Sequence, residues 1–355
     1  MGNLYEKLLN LNNLHEAFLK SKSGVDWKES VQKYDMNELV RICELREALA
    51  NHTYKQKPFY EFDISERGKH RHIKSLHISD RVLQRALCDF ALTPSIQKYL
   101  IYDNGASVKG KGIDFTRRRL KEHLRRYYQR HGRDGYVLMI DFSKYFDNIP
   151  HEKLLRAFAE KIHDDDILKL LRHLVGTFDT GSGRSVGIGS QISQVAGIYY
   201  PTRLDNYCKI VRGMKYYGRY MDDTYIIHHD KKFLASLLDE IKSICDGLDI
   251  VINKKKTQIV KLSAGFTFLK MKYYITEAGK ILAIPCRQTF IRERRKLRKL
   301  KKKLDHGKVR FSDISGQYRS WRGNVVNRNA QRSVEKTDAL YKSLFGGTYG
   351  KEKDA

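Results

Sequence analysis

The chain alternates between segments of helical and of strand periodicity. Leu4, Leu8, Leu11 and Leu14 recur at spacings of three and four, which predicts a first helix. Further helices are predicted at about 36–50, 80–92, 115–130, from 151, at 193–207, 233–246 and 287–310. Strands are predicted at 59–64, 69–73, 137–140, in a hairpin around 220–227, and at 250–253 and 266–274. No repeat or low-complexity linker interrupts this order, and the pattern predicts a mixed α and β chain. The length of 355 residues suggests two or three subdomains.

Acidic residues stand at the ends of predicted strands. The apolar run 137–140 ends at Asp141, and Asp222 and Asp223 lie at the tip of the predicted hairpin. Adjacent carboxylates repel each other unless a cation shares them, and Mg²⁺ takes few protein carboxylates beside water and phosphate oxygens. A solvated Asp-Asp turn is the alternative, and the third carboxylate at Asp141 argues against it. The pattern therefore predicts a two-metal site for in-line displacement at phosphorus, which is polymerase chemistry.

Composition favours a polyanionic partner. Lys and Arg number 68 against 41 acidic residues, a net charge of +27, and such a surface attracts nucleic acid. A ribosomal or membrane-surface protein is the alternative, although 41% hydrophobic residues over 355 positions suffice for a large core. The five cysteines have no metal-ligand or disulfide spacing. The first residues are amphipathic rather than a signal peptide, and no apolar run has membrane-spanning length, so a cytoplasmic protein without membrane partners is expected.

Four segments together resemble the motifs of reverse transcriptases. They are VLMIDFSKYFDNI (137–149), GIGSQISQ (187–194), YMDD (220–223) and FLKMK (268–272), in the family's order and spacing. The resemblance implies an α+β right-hand polymerase that makes DNA on an RNA template, with an antiparallel palm sheet and a helical thumb. It implies an N-terminal helical extension at 1–35, fingers at 36–135, palm at 136–275 with fingers elements interleaved at about 150–185, and thumb and tail at 276–355.

The resemblance also implies roles around the metal and the nucleotide. Asp141, Asp222 and the backbone carbonyl of Phe142 match the ligands of two Mg²⁺ ions, with Mn²⁺ as an alternative, and Asp223 matches the family's less directly involved acid. Lys256 matches a lysine that protonates the leaving pyrophosphate, although three consecutive lysines leave its register open. The implied dNTP contacts are Lys69, Arg71, Phe142, Phe146, Ile188, Gly189 and Gln191.

Each of these nucleotide contacts has a structural alternative. Lys69 and Arg71 lie on one side of a strand and match the basic pair on the triphosphate, but a solvated face is the alternative and Lys74 is a competitor. Phe146 matches the aromatic residue under the sugar, where a ring leaves no room for a 2′-hydroxyl; spacing alone favours a core Phe.

Basic and aromatic residues near the C-terminus match nucleic-acid contacts. Phe268, Leu269, Lys270 and Met271 match the turn that holds the primer end, with Lys270 where many relatives have Gly. The segment 287–310 holds twelve Lys or Arg against two acids, and a solvated amphipathic helix is its alternative. The implied duplex contacts in the thumb are Arg287, Arg294, Arg295, Arg298, Lys302, Trp321 and Arg322. The loop 105–112 and the helix after it are expected to contact the template.

The motif IGSQISQ (188–194) departs from the QGxxxSP of most reverse transcriptases. It is similar to the subgroup from diversity-generating retroelements of bacteria and phages, which copy an RNA repeat with errors at adenine. Ile188 in place of Gln removes a polar group beside the nascent base pair, so error-prone copying is the hypothesis. Antiphage defence reverse transcriptases that make repetitive or non-genomic DNA are the alternative, and a non-catalytic RNA-binding module is disfavoured by the three acids. Neither a nuclease nor an RNase H domain is expected.

The expected partners follow from that resemblance. They are an RNA template, a DNA primer and product, dNTPs, a cognate structured noncoding RNA, and an accessory protein or second polymerase subunit.

Overall fold

A computed structural model describes residues 3–66, 69–179 and 181–349 of the chain. It begins with the helices α1 (Leu4–Leu9), α2 (Leu11–Lys22), α3 (Glu29–Asp35) and α4 (Glu38–Ala50). The predicted first helix is two helices, because the Asn10 side chain accepts hydrogen bonds from the backbone N–H groups of Asn12 and Asn13 and caps α2. The leucine stripe continues across this break, and Leu8 and Leu14 are both fully buried.

An antiparallel hairpin and a run of helices follow. The hairpin strands β1 (Tyr60–Glu66) and β2 (Lys69–Ser75) confirm the predicted strand pair. The next helices are α5 (Ile78–Leu87), α6 (Thr93–Ile96) and α7 (Ile113–His131). Residues Cys88–Leu92 form a π-helical turn between α5 and α6, so the predicted helix at 80–92 is continuous in path but not in hydrogen-bond pattern.

The central sheet carries the predicted acidic residues. Its strands are β3 (Tyr136–Ile140), β4 (Tyr217–Tyr220), β5 (Asp223–His228) and β6 (Gln258–Lys261), in the order β4-β5-β3-β6 within the described residues. Between β3 and β4 lie α8 (Tyr145–Asn148), α9 (His151–Ala159), α10 (Asp165–Gly176), α11 (Gln191–Tyr199) and α12 (Thr202–Asn206). The predicted helix at 193–207 is divided at Pro201, which cannot continue the hydrogen-bond ladder of α11.

Helix α13 (Lys231–Gly247) connects the hairpin β4–β5 to the chain before β6. It buries Leu234, Leu237, Ile241 and Cys245, which share one helical face. The predicted strand at 250–253 is wrong. Only an isolated bridge forms there, between Ile252 and Phe142, because the left-handed Asp249 and the turn at 254–256 bound the paired segment on both sides.

The remaining elements are a small sheet and three helices. Strands β7 (Phe266–Phe268), β8 (Met271–Ile275) and β9 (Ile281–Pro285) form an antiparallel meander in that order. Helices α14 (Arg287–Asp305), α15 (Phe311–Val325) and α16 (Gln331–Tyr349) follow. Leu297 is fully buried against Ile314 and Tyr318, with Leu300 and Leu304 packed beside them, which confirms the predicted apolar stripe.

By its internal contacts the chain divides into two compact units. One contains Met1–Arg119, Met139–Ile226 and Lys232–Gln258, and the other contains Leu120–Leu138, Ile227–Lys231 and Ile259–Ala355. All five cysteines are free thiols. In the described part of the chain, no helix combines the length and the apolar character needed to cross a membrane.

Candidate active site

Asp141 is the first residue after β3. The strand is apolar, with Val137, Leu138 and Ile140 buried, so it holds the carboxylate at the edge of the core. Asp141 is 9% exposed. A buried carboxylate needs hydrogen bonds or a cation, and a nearby segment of the same chain supplies both.

The segment 253–257 surrounds Asp141, and we call it the Asp141 clamp. The backbone N–H of Asn253 donates to the Asp141 carbonyl at 2.8 Å, and its side-chain Nδ2 donates to Oδ2 at 3.1 Å. Lys256 Nζ donates to Oδ1 at 2.6 Å. The N–H of Asp141 in turn donates to Thr257 Oγ1 at 3.4 Å. Both carboxylate oxygens therefore have defined partners. Sequence reasoning missed Asn253 and Thr257, whose only signal was their place beside the three lysines.

The second pair of acids lies on the hairpin β4–β5. Tyr220 pairs with Asp223, so the turn consists of Met221 and Asp222, and Asp223 begins β5. Met221 has a left-handed backbone with φ of 53°, which is uncommon for a non-glycine residue and is typical of a tight hairpin turn. Asp222 and Asp223 are both partly exposed.

The Lys256 ammonium links the three acids electrostatically. Its hydrogen bond to Asp141 raises the pKa of Lys256, while partial burial acts in the opposite direction. Attraction by Asp141, and then by Asp223 and Asp222, raises that pKa further. All three carboxylates thus attract the Lys256 ammonium, and Asp141 also contacts it directly.

The donor set fits Mg²⁺. Carboxylate and carbonyl oxygens are hard ligands, and Mg²⁺ needs only one or two carboxylates when water and phosphate supply the rest. Among the described residues, no group of three or more His, Cys, Asp or Glu side chains is arranged so that it could hold a metal ion by itself.

Phe146 lies in α8, five residues after Asp141, with its ring partly exposed. A Cβ on Gly197 of α11 would be 2.9 Å from Cε1 of that ring and 3.4 Å from the Met221 sulfur. Glycine at 197 therefore lets the ring and the hairpin turn approach the same helix. Phe142 differs from Phe146, since the whole residue is only 2% exposed and its ring packs on Tyr145 at 5.4 Å between ring centroids. The Phe142 ring is therefore part of the core.

The motif at 187–194 forms a loop and the start of α11. Ser190 caps the helix by accepting from the N–H of Ser193 at 2.9 Å, and the Ser193 hydroxyl donates to the Val186 carbonyl. This buried pair fixes the loop so that Ile188 stays at the surface, 36% exposed. Gly189 beside it has φ of 104° and is exposed, and Gln191 is partly exposed at the first turn of α11.

Residues 54–273, more than half of the chain, match the family model described as reverse transcriptase (RNA-dependent DNA polymerase). The chain belongs to the reverse transcriptase family. Its helices and strands have the α+β right-hand polymerase fold of that family. No curated protein matches the chain.

Solved structures of telomerases are similar to this reverse transcriptase. One is a Candida albicans telomerase in complex with a fragment of telomeric RNA, with 12% identity and a TM-score of 0.49, covering 83% of this chain and 63% of that chain. Two are apo telomerases from Candida tropicalis. The form truncated of its C-terminal domain has 14% identity, coverage of 64% and 56%, and a TM-score of 0.48. The other has 13% identity, coverage of 64% and 49%, and a TM-score of 0.47. The chain spans less than two thirds of each of these proteins.

The implied triphosphate contacts of this reverse transcriptase lie on β2. Lys69 and Arg71 pair with Glu66 and Ile64 in the hairpin register, which places them two residues apart on one face. Their side chains lie outside the described part of the structure.

The implied primer turn joins β7 to β8. Phe268 pairs with Met271, and the two turn residues Leu269 and Lys270 have φ of 45° and 64°. Both turn residues are left-handed, as in a type I′ hairpin turn, so Lys270 adopts the backbone that glycine adopts most easily.

The implied thumb contacts fall into two groups. Arg287, Arg295, Arg298 and Lys302 are exposed on α14, and Arg294 is partly exposed there. Trp321 instead packs on Tyr318 and Phe290, with ring centroids 5.6 and 5.9 Å away. Arg322 donates to Asp338 at 2.9 Å. The side chains of Trp321 and Arg322 thus make contacts within the three helices, whereas the cations of α14 face solvent.

Proposed function

We propose that this reverse transcriptase copies a cognate structured RNA into cDNA by two-metal nucleotidyl transfer at Asp141 and Asp222. The observation that carries the proposal is the hold of the Asp141 clamp on both oxygens of Asp141, and the attraction of the Lys256 ammonium by Asp223 and Asp222 as well as Asp141 supports it. Asp223 begins β5 beside them and adds negative charge to the site.

The residues would divide the work as follows. Asp141, Asp222 and the backbone carbonyl of Phe142 would hold two Mg²⁺ ions, or Mn²⁺, which supply Lewis-acid stabilisation of phosphate charge when bound. The clamp orients Asp141 before substrate arrives, so less reorganisation is needed during the reaction. Phe146, backed by Gly197, would exclude a 2′-hydroxyl from the incoming sugar, which selects dNTPs. Lys256, within reach of the site, would donate the proton to the leaving pyrophosphate.

Basic surfaces supply the expected nucleic-acid contacts. The exposed cations of α14 would follow the phosphates of the template–primer duplex, and Lys69 and Arg71 would bind the triphosphate. The loop 105–112 and α7 would contact the template. An accessory protein or second polymerase subunit completes the proposed assembly.

The proposed biological role is that of a diversity-generating retroelement. Ile188 supports it, since an exposed aliphatic side chain stands where most relatives have a polar one. We expect Ile188→Gln to raise fidelity opposite template adenine, because a hydrogen-bonding group returns beside the nascent base pair. Product sequencing measures this, and an unchanged spectrum of errors would reject the fidelity hypothesis.

The decisive experiment is sequencing of the RNA that co-purifies with the protein and of the cDNA made from it with dNTPs and Mg²⁺. Asp222→Asn/Asp223→Asn is the catalytic control, and Asp239→Asn, an exposed acid paired with Lys242, is the matched charge control. Substitutions at template adenines would support the retroelement role. Faithful or simple-repeat cDNA from a dedicated noncoding RNA would favour antiphage defence instead. Product that survives loss of both aspartates would refute the proposed site.

A further inference from the structure

Arg219 of β4 is a fully buried arginine next to the hairpin turn. Its side chain and that of Asp205 in α12 are both 0% exposed. Nε donates to Asp205 Oδ1 at 2.8 Å and Nη2 donates to Oδ2 at 2.6 Å, a bidentate ion pair. Tyr217, two residues earlier on the same face of β4, donates its hydroxyl to Asp205 Oδ1 at 2.5 Å. A buried charge in this geometry is held in one position.

The remaining N–H groups of Arg219 reach three backbone carbonyls. Nη2 donates to Ile198 at 2.7 Å, and Nη1 donates to Met221 at 3.0 Å and to Gly197 at 3.4 Å. A guanidinium has five N–H groups in a planar fork, and with the two bonds to Asp205 all five have acceptors. The backbone of Arg219 is also fixed, since its N–H donates to Asp103 and its carbonyl accepts from Gly105, both at 3.1 Å.

The bond to Met221 is the functional part of this network. Met221 has a left-handed backbone, and its carbonyl belongs to the peptide bond that leads into Asp222. Fixing that carbonyl fixes the orientation of the peptide and so limits the positions of the Asp222 side chain. The Gly197 carbonyl connects Arg219 to α8 as well, because it also accepts a hydrogen bond from the Tyr145 hydroxyl at 2.9 Å. Tyr145 directly precedes Phe146.

We infer that Arg219, held by Asp205, is a positioning residue that presents Asp222 for metal binding. The inference rests on the proposed role of Asp222 as a metal ligand. Arg219 is fully buried, so it acts on Asp222 through the Met221 carbonyl and not through contact with substrate. Lysine cannot replace it, because one ammonium cannot reach Asp205, α11 and the turn together.

The test uses the full chain with the substitution Arg219→Lys. Its affinity for Mn²⁺ is measured by electron paramagnetic resonance and compared with that of the parent protein. Loss of a group that orients a metal ligand typically lowers metal affinity about 10- to 100-fold. We expect a decrease in this range, with the Mg²⁺ concentration for half-maximal activity rising in parallel and KM for dNTP at saturating Mg²⁺ unchanged. Arg212→Lys is the matched control, since Arg212 is a partly buried arginine paired with Glu240 at 3.1 Å.

A second variant guards against misfolding. Tyr217→Phe removes only the hydroxyl that steadies Asp205, and we expect a smaller decrease in Mn²⁺ affinity without a change in secondary structure. Unaltered Mn²⁺ binding in folded Arg219→Lys, or in Tyr217→Phe if Arg219→Lys does not fold, would overturn the inference.

Asp222→Asn separates the proposed metal site at Asp222 from the positioning role of Arg219. If it binds Mn²⁺ as the parent does, the proposed metal site fails together with the inference. If only Asp222→Asn loses binding, the inference alone fails.

Discussion

Removing the Asn253 side chain should slow catalysis without loosening the fold. In Asn253→Ala the backbone bond to the Asp141 carbonyl remains, and the 3.1 Å bond from Nδ2 to Asp141 Oδ2 is lost. A hydrogen bond to a charged group contributes about 1.5–3 kcal/mol. If that energy holds Asp141 in its reactive position, about 1.4 kcal/mol for each factor of ten gives a loss in kcat of about 10- to 100-fold. KM for dNTP should change little, because Asn253 orients the carboxylate rather than the nucleotide.

The assay is single-nucleotide extension of a DNA primer on an RNA template at saturating Mg²⁺. Two further variants separate the possible causes. Asn148→Ala removes a similar amide bond, 2.9 Å to the Ser143 carbonyl, without touching the acid. Asn253→Asp keeps the acceptor for the Lys255 N–H but loses the donor and adds charge beside Asp141. We expect a normal kcat in the first and a loss at least as large as that of Asn253→Ala in the second. A restored kcat in Asn253→Asp would refute the reasoning, because the Lys255 bond would then be the one that matters.

Three further substitutions have measurable consequences. Glu293 is 7% exposed, its Oε1 has no hydrogen-bond partner within the described residues, and burial raises its pKa while Lys296 opposes the shift. The folded state therefore holds the proton to higher pH than the unfolded chain (pKa about 4.3), and stability is lost as pH rises from that value. Glu293→Gln should add about 1 kcal/mol to the free energy of unfolding at pH 8 and nothing at pH 4, measured by urea unfolding. An equal gain in stability at both pH values would contradict this. Gly197→Ala should push the Phe146 ring away from α11 and lower kcat/KM for dNTP several-fold with an unchanged Tm, whereas a change in Tm alone would point to packing. Lys270→Gly should stabilise the β7–β8 turn by about 0.5–1 kcal/mol, measured as a higher Tm, because the left-handed φ is relieved; a lower Tm would contradict it.

Elements with long periodic patterns were predictable, and local interruptions were not. The strand before Asp141 and the YMDD hairpin follow from apolar runs that end in acids, and both lie where the pattern predicts them. The break between α1 and α2 at Asn10 was not predicted, because the leucine spacing continues through it. The π-helical turns at Cys88–Leu92 and Tyr207–Val211 differ from α-helix in hydrogen bonding rather than in hydrophobic pattern, so periodicity does not reveal them.

The supports of the candidate site were not predictable, for a different reason. Asn253 lies 112 residues from Asp141, and no local pattern indicates such a pairing. Arg219 lies among aromatic and basic residues and by composition belongs on a solvated strand. Its burial depends on Asp205, fourteen residues earlier in another element. Sequence motifs predict the groups that we propose for the chemistry, whereas tertiary pairing determines which polar groups hold them.

Two cations beside the acids differ in a way that separates their functions. Lys256 makes one bond to Asp141 with its side chain 55% exposed, whereas Arg219 is fully buried with every N–H engaged. Salt screens an exposed pair and leaves a buried pair nearly unaffected. We therefore expect Lys256 to be the exchangeable cation, which leaves Asp141 when metal and triphosphate bring their own charges. We expect Arg219 to stay in place, since its removal would leave Asp205 charged and without this cation in the core. The proposed site thus combines a buried ion pair next to the hairpin turn with an exposed cation on the Asp141 carboxylate, and we expect polymerisation to require both.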